Sequence, residues 1–168
     1  TSTTPVGWPP NSKTKNSCAS WPGASEVFVV DTNVLVYVVH SGSAHHEAAH
    51  AWLREQISGS HVVGMPWVSL LGFIRISTNP RAFAKPLTAS QALRIVETWL
   101  RQPAVTVPEP TSRHFALLAG NLSASGTAAN LTTDAHIAAL ALEYGATVAT
   151  FDRDFARFRV PLLIPGDA

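Results

Sequence analysis

Apolar positions along this chain alternate between two rhythms. Val27-Phe28-Val29-Val30 is a short β-branched run that ends in Asp31-Thr32-Asn33. A second run begins at Ala146, reads as a strand over Val148–Phe151 and ends in Asp152-Arg153-Asp154. Runs of this kind closed by polar clusters predict buried strands. Val62–Met65, closed by Pro66, and Ala104–Val107, closed by Pro108, predict two more, and Val160–Ile164, bounded by Pro161 and Pro165, an edge strand. Helical spacing fills the intervals. Thr32 or Asn33 caps a helix to about Val39, and Ser43 opens one to Ser58-Gly59. Val68–Ile76 forms another, and Thr88 caps a helix that ends before Pro103. Thr111 to about Ala124 is helical, followed by a loop with Gly126 and Asn130. Thr132 or Thr133 caps a last helix to Tyr144, with Gly145 as its stop. Strands alternating with helices predict an α/β domain with a mainly parallel sheet.

Open parallel sheets build their sites just beyond the carboxyl ends of the strands. Two of the predicted strands deliver an acid there, Asp31 and Asp152. Asp134 follows Thr132-Thr133 and opens an apolar helix. Alone it reads as an acid on a helix dipole. The next strand ends in Asp152, however, so Asp31, Asp134 and Asp152 are candidates to converge. Such carboxylates repel unless a cation lies between them. A set of hard oxygen ligands suits Mg²⁺ or Mn²⁺, which keep several waters and bridge to phosphates. An ion held this way orients water and neutralises charge developing at a phosphoryl centre.

The order Val-Val-Asp31-Thr-Asn, Thr-Thr-Asp134-Ala-His-Ile-Ala-Ala-Leu-Ala and Thr150-Phe-Asp152-Arg-Asp-Phe resembles PIN-domain ribonucleases, in particular the VapC toxins of bacterial toxin–antitoxin pairs. The resemblance runs from about Phe28 to Pro165. It implies a three-layer α/β/α domain and Mg²⁺-dependent endonucleolytic cleavage of RNA, leaving 3′-hydroxyl and 5′-phosphate ends. Asp31, Asp134 and Asp152 would be the metal-site acids, with Asn33 and Thr150 at supporting polar positions. It also implies a homodimer neutralised by a small antitoxin protein. One position departs: the family usually carries a glutamate early in the helix after the second strand, where this chain has Gly72. No acid occurs from Ser58 to Val96, and Glu47 or Asp154 are the candidates to replace it. Each has a plainer reading, Glu47 as a helix-dipole acid and Asp154 as a turn cap.

Composition narrows the picture modestly. Hydrophobic residues are 46% and charged residues 14% of 168, with a formal net charge of +1, so no global field advertises a polyanionic partner. Arg75, Arg81, Lys85, Arg94, Arg101 and Arg113 nevertheless outnumber Glu97 and Glu109 in one stretch. Arg75, Arg81 and Arg113 are candidate RNA contacts, since guanidinium forks suit phosphate oxygens; taken singly, each reads better as a plain surface charge. Residues 1–25, rich in Pro, Ser and Thr, predict a disordered or artificially appended extension, with the folded domain at 26–168. The single Cys18 excludes a disulfide framework. With no signal-peptide pattern or membrane-length apolar run, a cytoplasmic location is expected.

His46-Glu47-Ala48-Ala49-His50 matches the zinc-peptidase pattern His-Glu-x-x-His. Leu53 and Gln56 stand where a metzincin-type continuation needs Gly and His, so an ordinary helix start is the better reading. His136 is read as lying off the Asp134 face. Trp52, Trp67 and Trp99 are read as core or dimer interface. The function expected is a metal-dependent endoribonuclease. The alternative is a PIN-like module that binds RNA or protein without cleaving, with a zinc peptidase third.

Overall fold

Five parallel strands form one sheet in the order β3-β2-β1-β4-β5: β1 Val27–Val30, β2 Val62–Gly64, β3 Val105–Thr106, β4 Thr147–Ala149 and β5 Leu162–Leu163. The structure is a computed structural model and describes residues 26–125 and 131–167. The predicted extension and the loop residues Gly126 and Asn130 lie outside the described residues. Six helices connect the strands: α1 Thr32–Val39, α2 His46–Ser58, α3 Trp67–Ser77, α4 Ala89–Leu100, α5 His114–Ser125 and α6 Thr132–Tyr144. A 3₁₀ helix, Arg153–Phe158, leads to β5.

Strand alternation divides the core into two layers. Phe28 and Val30 face a cluster with Leu35, Trp52, Leu70, Phe73 and Trp99, from α1–α4. Val29 and Val148 face Ile137, Leu140, Phe155 and Phe158, on the α6 side. The three-layer α/β/α arrangement follows directly. Chain order places β2 and β3 on one side of β1 and β4 and β5 on the other. The carboxyl ends of β1 and β4 therefore flank the point where strand order reverses, the crevice in which open α/β sheets bind ligands. Among the described residues no helix is long and apolar enough to cross a membrane.

Several local expectations shift. The N-cap of α1 is Asp31, whose extended backbone (φ −76°, ψ 154°) marks the residue before the first helical turn. Thr32 and Asn33 are already helical. Likewise Leu131 caps α6, so neither Thr132 nor Thr133 does. Helix α2 starts at His46; Ser43 instead holds the preceding turn by accepting from the His45 amide at 3.2 Å. Helix α5 starts at His114; Thr111 stands in the turn before it, with its amide and hydroxyl donating to Glu143 Oε1. Strand β4 stops at Ala149, because beyond it Phe151 and Asp152 bond to side chains. The Thr88 cap is as expected: Gln91 completes a capping box at 3.2 Å and 2.8 Å. Gly145 ends α6 with φ +60°, the left-handed stop that favours glycine.

Gly72 has a packing reason. A Cβ there would lie 2.6 Å from Thr32 Oγ1 and 2.8 Å from Thr32 Cγ2. Helix α3 thus crosses the first turn of α1 too closely for a side chain, and Thr32, being β-branched, has few rotamers to yield with. Gly72→Ala should cost ~1–2 kcal/mol as overpacking, despite the better helix propensity of alanine. Thr32→Ala should restore most of that loss in the double variant, a coupling that urea denaturation of all four proteins measures.

Candidate active site

Asp31 is 6% exposed at the tip of β1, with its amide continuing the ladder to the Ala149 carbonyl at 3.0 Å. The neighbouring tip carries Thr150, fully buried, whose hydroxyl donates to Asp31 Oδ2 at 2.7 Å. Thr150 Oγ1 itself accepts from Asn33 Nδ2 at 3.1 Å and from the Asp152 amide at 2.9 Å. One donor and two acceptor positions are thereby filled, the full capacity of a hydroxyl. Asn33 also accepts from the Phe151 amide through Oδ1 at 3.2 Å, so its side-chain amide bridges the β1 and β4 tips. Asp152 Oδ1 in turn accepts from the Asp154 amide at 2.8 Å and caps the 3₁₀ helix.

Electrostatics ties Asp134 to this group. Burial, then the Asp31 and Asp152 carboxylates, push the Asp134 carboxyl up to about 6; Asp154 adds to the push and Arg157 opposes it. Burial also raises Asp31, against the Thr150 hydrogen bond, with Asp152 adding repulsion. The amides of Thr32 and Asn33 draw it back through their field, although no capping hydrogen bond forms. The Arg157 guanidinium, which opposes the push on Asp134, already pairs with Asp154 at 3.3 Å. Among the described residues no lysine or arginine forms a salt bridge with Asp31, Asp134 or Asp152.

This donor set fits a hard divalent cation. All the groups are oxygens, their mutual repulsion is not relieved by a salt bridge, and a buried hydroxyl orients one of them. Among the described residues no three His, Cys, Asp or Glu side chains close into a ready ligand set.

Other candidates fall elsewhere. Glu47 is exposed in the first turn of α2 and is not among the main charges acting on Asp31 or Asp134. Arg75 occupies the last turn of α3, away from the strand tips where that helix begins, and Arg81 follows in the loop. Arg113 donates its amide to Thr111 Oγ1 at 3.2 Å, near Glu143 and so at the opposite end of α6 from Asp134. The structure does not bring these three arginines to the acids. His46 Nδ1 donates to the Tyr37 carbonyl at 2.9 Å, and its ring centroid is 5.7 Å from that of His50. Trp52 and Trp99 are buried at 7%, whereas Trp67 is 52% exposed.

Sequence reasoning missed two features. Glu143, 1% exposed, accepts from His114 Nδ1 at 2.7 Å as well as from Thr111, and His114 Nε2 shares a 2.8 Å hydrogen bond with His136 Nδ1. This chain clamps α5 to α6, the helix that presents Asp134. Burial, reinforced by His114, lowers the His136 pKa. A glutamate within the apolar run Leu140-Ala141-Leu142-Glu143 was its signal. The other is Arg157, three residues beyond Asp154.

An α/β/α fold with acids at the switch point between its central strands defines a PIN-type domain. The PIN domain family matches residues 28–161, and the chain belongs to that family. Within it the chain is similar to the VapC group: it is 44% identical over 130 residues to "Ribonuclease VapC37" of Mycobacterium tuberculosis, covering 77% of this chain and 90% of that protein. "Ribonuclease VapC33" of the same organism is 39% identical over 132 residues, covering 79% and 92%. The solved VapBC2 complex from Rickettsia felis, bound to a promoter DNA fragment, has the same fold (TM-score 0.60, 16% identity, 82% and 97% covered).

Thr150→Val keeps the shape but orphans three partners, and should cost ~1–3 kcal/mol in urea denaturation. For Asp134 the sign runs against stability. The folded protein holds its proton up to about pH 6, above the ordinary 3.8, so the ionised carboxylate destabilises the metal-free protein at neutral pH. That destabilisation fades as pH falls from about 6 to 3.8. After allowing for solvent screening at a half-buried group, Asp134→Asn should raise the metal-free Tm at pH 7 by about 2–4 °C. The gain should vanish at pH 4.

Proposed function

We propose that this chain is an endoribonuclease dependent on Mg²⁺ or Mn²⁺, and the toxin of a toxin–antitoxin pair. The observation that carries the reading is the grouping of Asp31, Asp134, Asp152 and Asp154 around the β1–β4 switch point, where burial and then the charges of Asp31, Asp152 and Asp154 push Asp134 up. The printed names of the VapC relatives, which call them ribonucleases, support it. Asp31, Asp134 and Asp152 would hold the ion, with Asn33, Thr150 and Asp154 in support. When bound, the ion supplies charge neutralisation at the phosphodiester and orientation of the attacking water. The chain's own part is placement. Thr150 fixes one oxygen of Asp31, Asn33 joins the two strand tips, and Asp152 sets the turn that carries Asp154. Water adds at phosphorus, the bond to the 3′ oxygen breaks, and the products are a 3′-hydroxyl and a 5′-phosphate.

The partners follow from the same reading: single-stranded RNA, a second copy of the chain and a small antitoxin. Trp67 and Leu71 on α3, Leu93 on α4 and Phe115 on α5 are 52–80% exposed, apolar surface of the kind protein partners cover. The solved VapBC2 neighbour, a complex by its name, supports a protein partner. A non-cleaving RNA- or protein-binding module is the second reading, favoured by Gly72 and by the absence of a closed ligand set among the described residues.

RNA incubated with the full chain should be cut with Mg²⁺ or Mn²⁺ and left intact with EDTA. Asp31→Ala and Asp134→Ala should each lower the rate by more than about a hundredfold. Full activity in either variant would refute the assignment. RNA held but uncut, without Mg²⁺ or Mn²⁺ binding in calorimetry, would select the second reading.

A further inference from the structure

Three rings meet beside the acids. Phe151 stands in the chain between Thr150 and Asp152, and its amide donates to Asn33 Oδ1 at 3.2 Å. Its ring is half-buried. Tyr37, one helical turn after Asn33 on α1, meets Phe151 edge-on, with centroids 5.3 Å apart at 71°. His45 lies over Phe151 at 4.4 Å and 32°, and 5.2 Å from Tyr37. Tyr37 and Phe151 rest on the α1–α4 core. His45 stays exposed.

The mounting is firm. His46 Nδ1 donates to the Tyr37 carbonyl at 2.9 Å, tying the start of α2 to α1. Ser43 Oγ accepts from the His45 amide at 3.2 Å. The His45 ring is therefore held over Phe151 from both sides of its own backbone. Its side chain makes no capping bond to α2, so nothing in the helix needs it.

We propose that Tyr37, His45 and Phe151 form a stacking platform for one nucleobase of single-stranded RNA, next to the phosphate that the acids address. The inference rests on the ribonuclease reading above. Phe151 is one residue, about 3.8 Å along the chain, from both Thr150 and Asp152. A base flanking a phosphate at the acids falls within reach of rings so mounted. Single-stranded RNA is recognised by stacking of unpaired bases on aromatic and histidine rings, and the attraction tolerates any base because every base has a π-face. The acids themselves repel the RNA backbone, so a neutral contact with the base gives the substrate a hold that needs no phosphate. The three arginines first singled out leave that role open, since none is brought to the acids.

The test uses a single-stranded oligoribonucleotide carrying 2-aminopurine, with Ca²⁺ replacing Mg²⁺, and the full chain. Wild type should quench the fluorescence on binding, and His45→Phe, which keeps an aromatic ring, should do the same. His45→Ala should abolish the quench and weaken binding about tenfold, and in Mg²⁺ should raise KM with little change in kcat. Quench and affinity within twofold of wild type in His45→Ala would overturn the platform, as would no quench by wild type. Cleavage by wild type in Mg²⁺ is scored separately. Cleavage without quench removes the platform and leaves the nuclease; quench without cleavage keeps the platform and removes the nuclease.

Discussion

The Thr150 hydroxyl holds together what charge would push apart. It lies buried between the tips of two neighbouring parallel strands and gives its proton to Asp31 while accepting from Asn33 and from the Asp152 amide. Without that oxygen the side-chain link between the β1 and β4 tips would shrink to the bond from the Phe151 amide to Asn33 Oδ1, and Asp31 would be a carboxylate taken out of water with less in return. Burial and like charge work against the arrangement, as the raised Asp31 and Asp134 show. The fold tolerates a destabilised cluster because the two apolar layers around the sheet are extensive and separate from it. Stored electrostatic repulsion of this kind is what a cation relieves on binding.

The helices serve that anchor at a distance. Asp134 reaches the site only if α6 sits at the correct height along the sheet. Its far end is fixed by Gly145 and by Glu143, which joins Thr111 and His114 to the helix. A buried carboxylate with three hydrogen-bond donors is stable where an unpaired one would not be. Asn121 Nδ2 donates to the Ala135 carbonyl at 3.1 Å, securing α5 against the other end, one residue from Asp134. Two polar clamps along one helix pair thus position one acid.

Much of this was legible in the sequence because it is local. An apolar run ending in an acid marks a strand tip, and Asp31 and Asp152 could be found that way, while Asp134 stood out as the acid opening the apolar helix before the second of those strands. Gly145 and the Thr88–Gln91 box are likewise patterns within a few residues. Caps were misplaced at α1 and α6 because Ser, Thr and Asn are favoured there by hydrogen bonding, whereas here Asp31 and Leu131 take the position without any cap bond. What could not be read is what joins distant residues: the strand order that puts β4 beside β1, the Glu143–His114 pair and the meeting of Tyr37, His45 and Phe151. Gly72 looked like a lost acid. Only the approach of Thr32, forty residues earlier, explains why a side chain has no room.

That same contact shapes the site. With α3 seated against Thr32, a side chain at position 72 would run into the Thr32 hydroxyl and methyl, so α3 contributes no carboxylate from that position. The remaining acids all come from the β4 side: Asp134 from the helix before the strand, Asp152 and Asp154 from the turn after it. Charge is therefore concentrated on one flank of the switch point. Beside the acids the Phe151 ring, reaching from the same turn to α1 and the start of α2, meets Tyr37 and His45 and forms an aromatic surface. On the proposed reading, a polyanion entering the crevice would meet repulsive carboxylates on one side and ring surface on the other. Its phosphate would then need a cation among the acids while a base would settle on the rings, an asymmetry that would give the strand a direction.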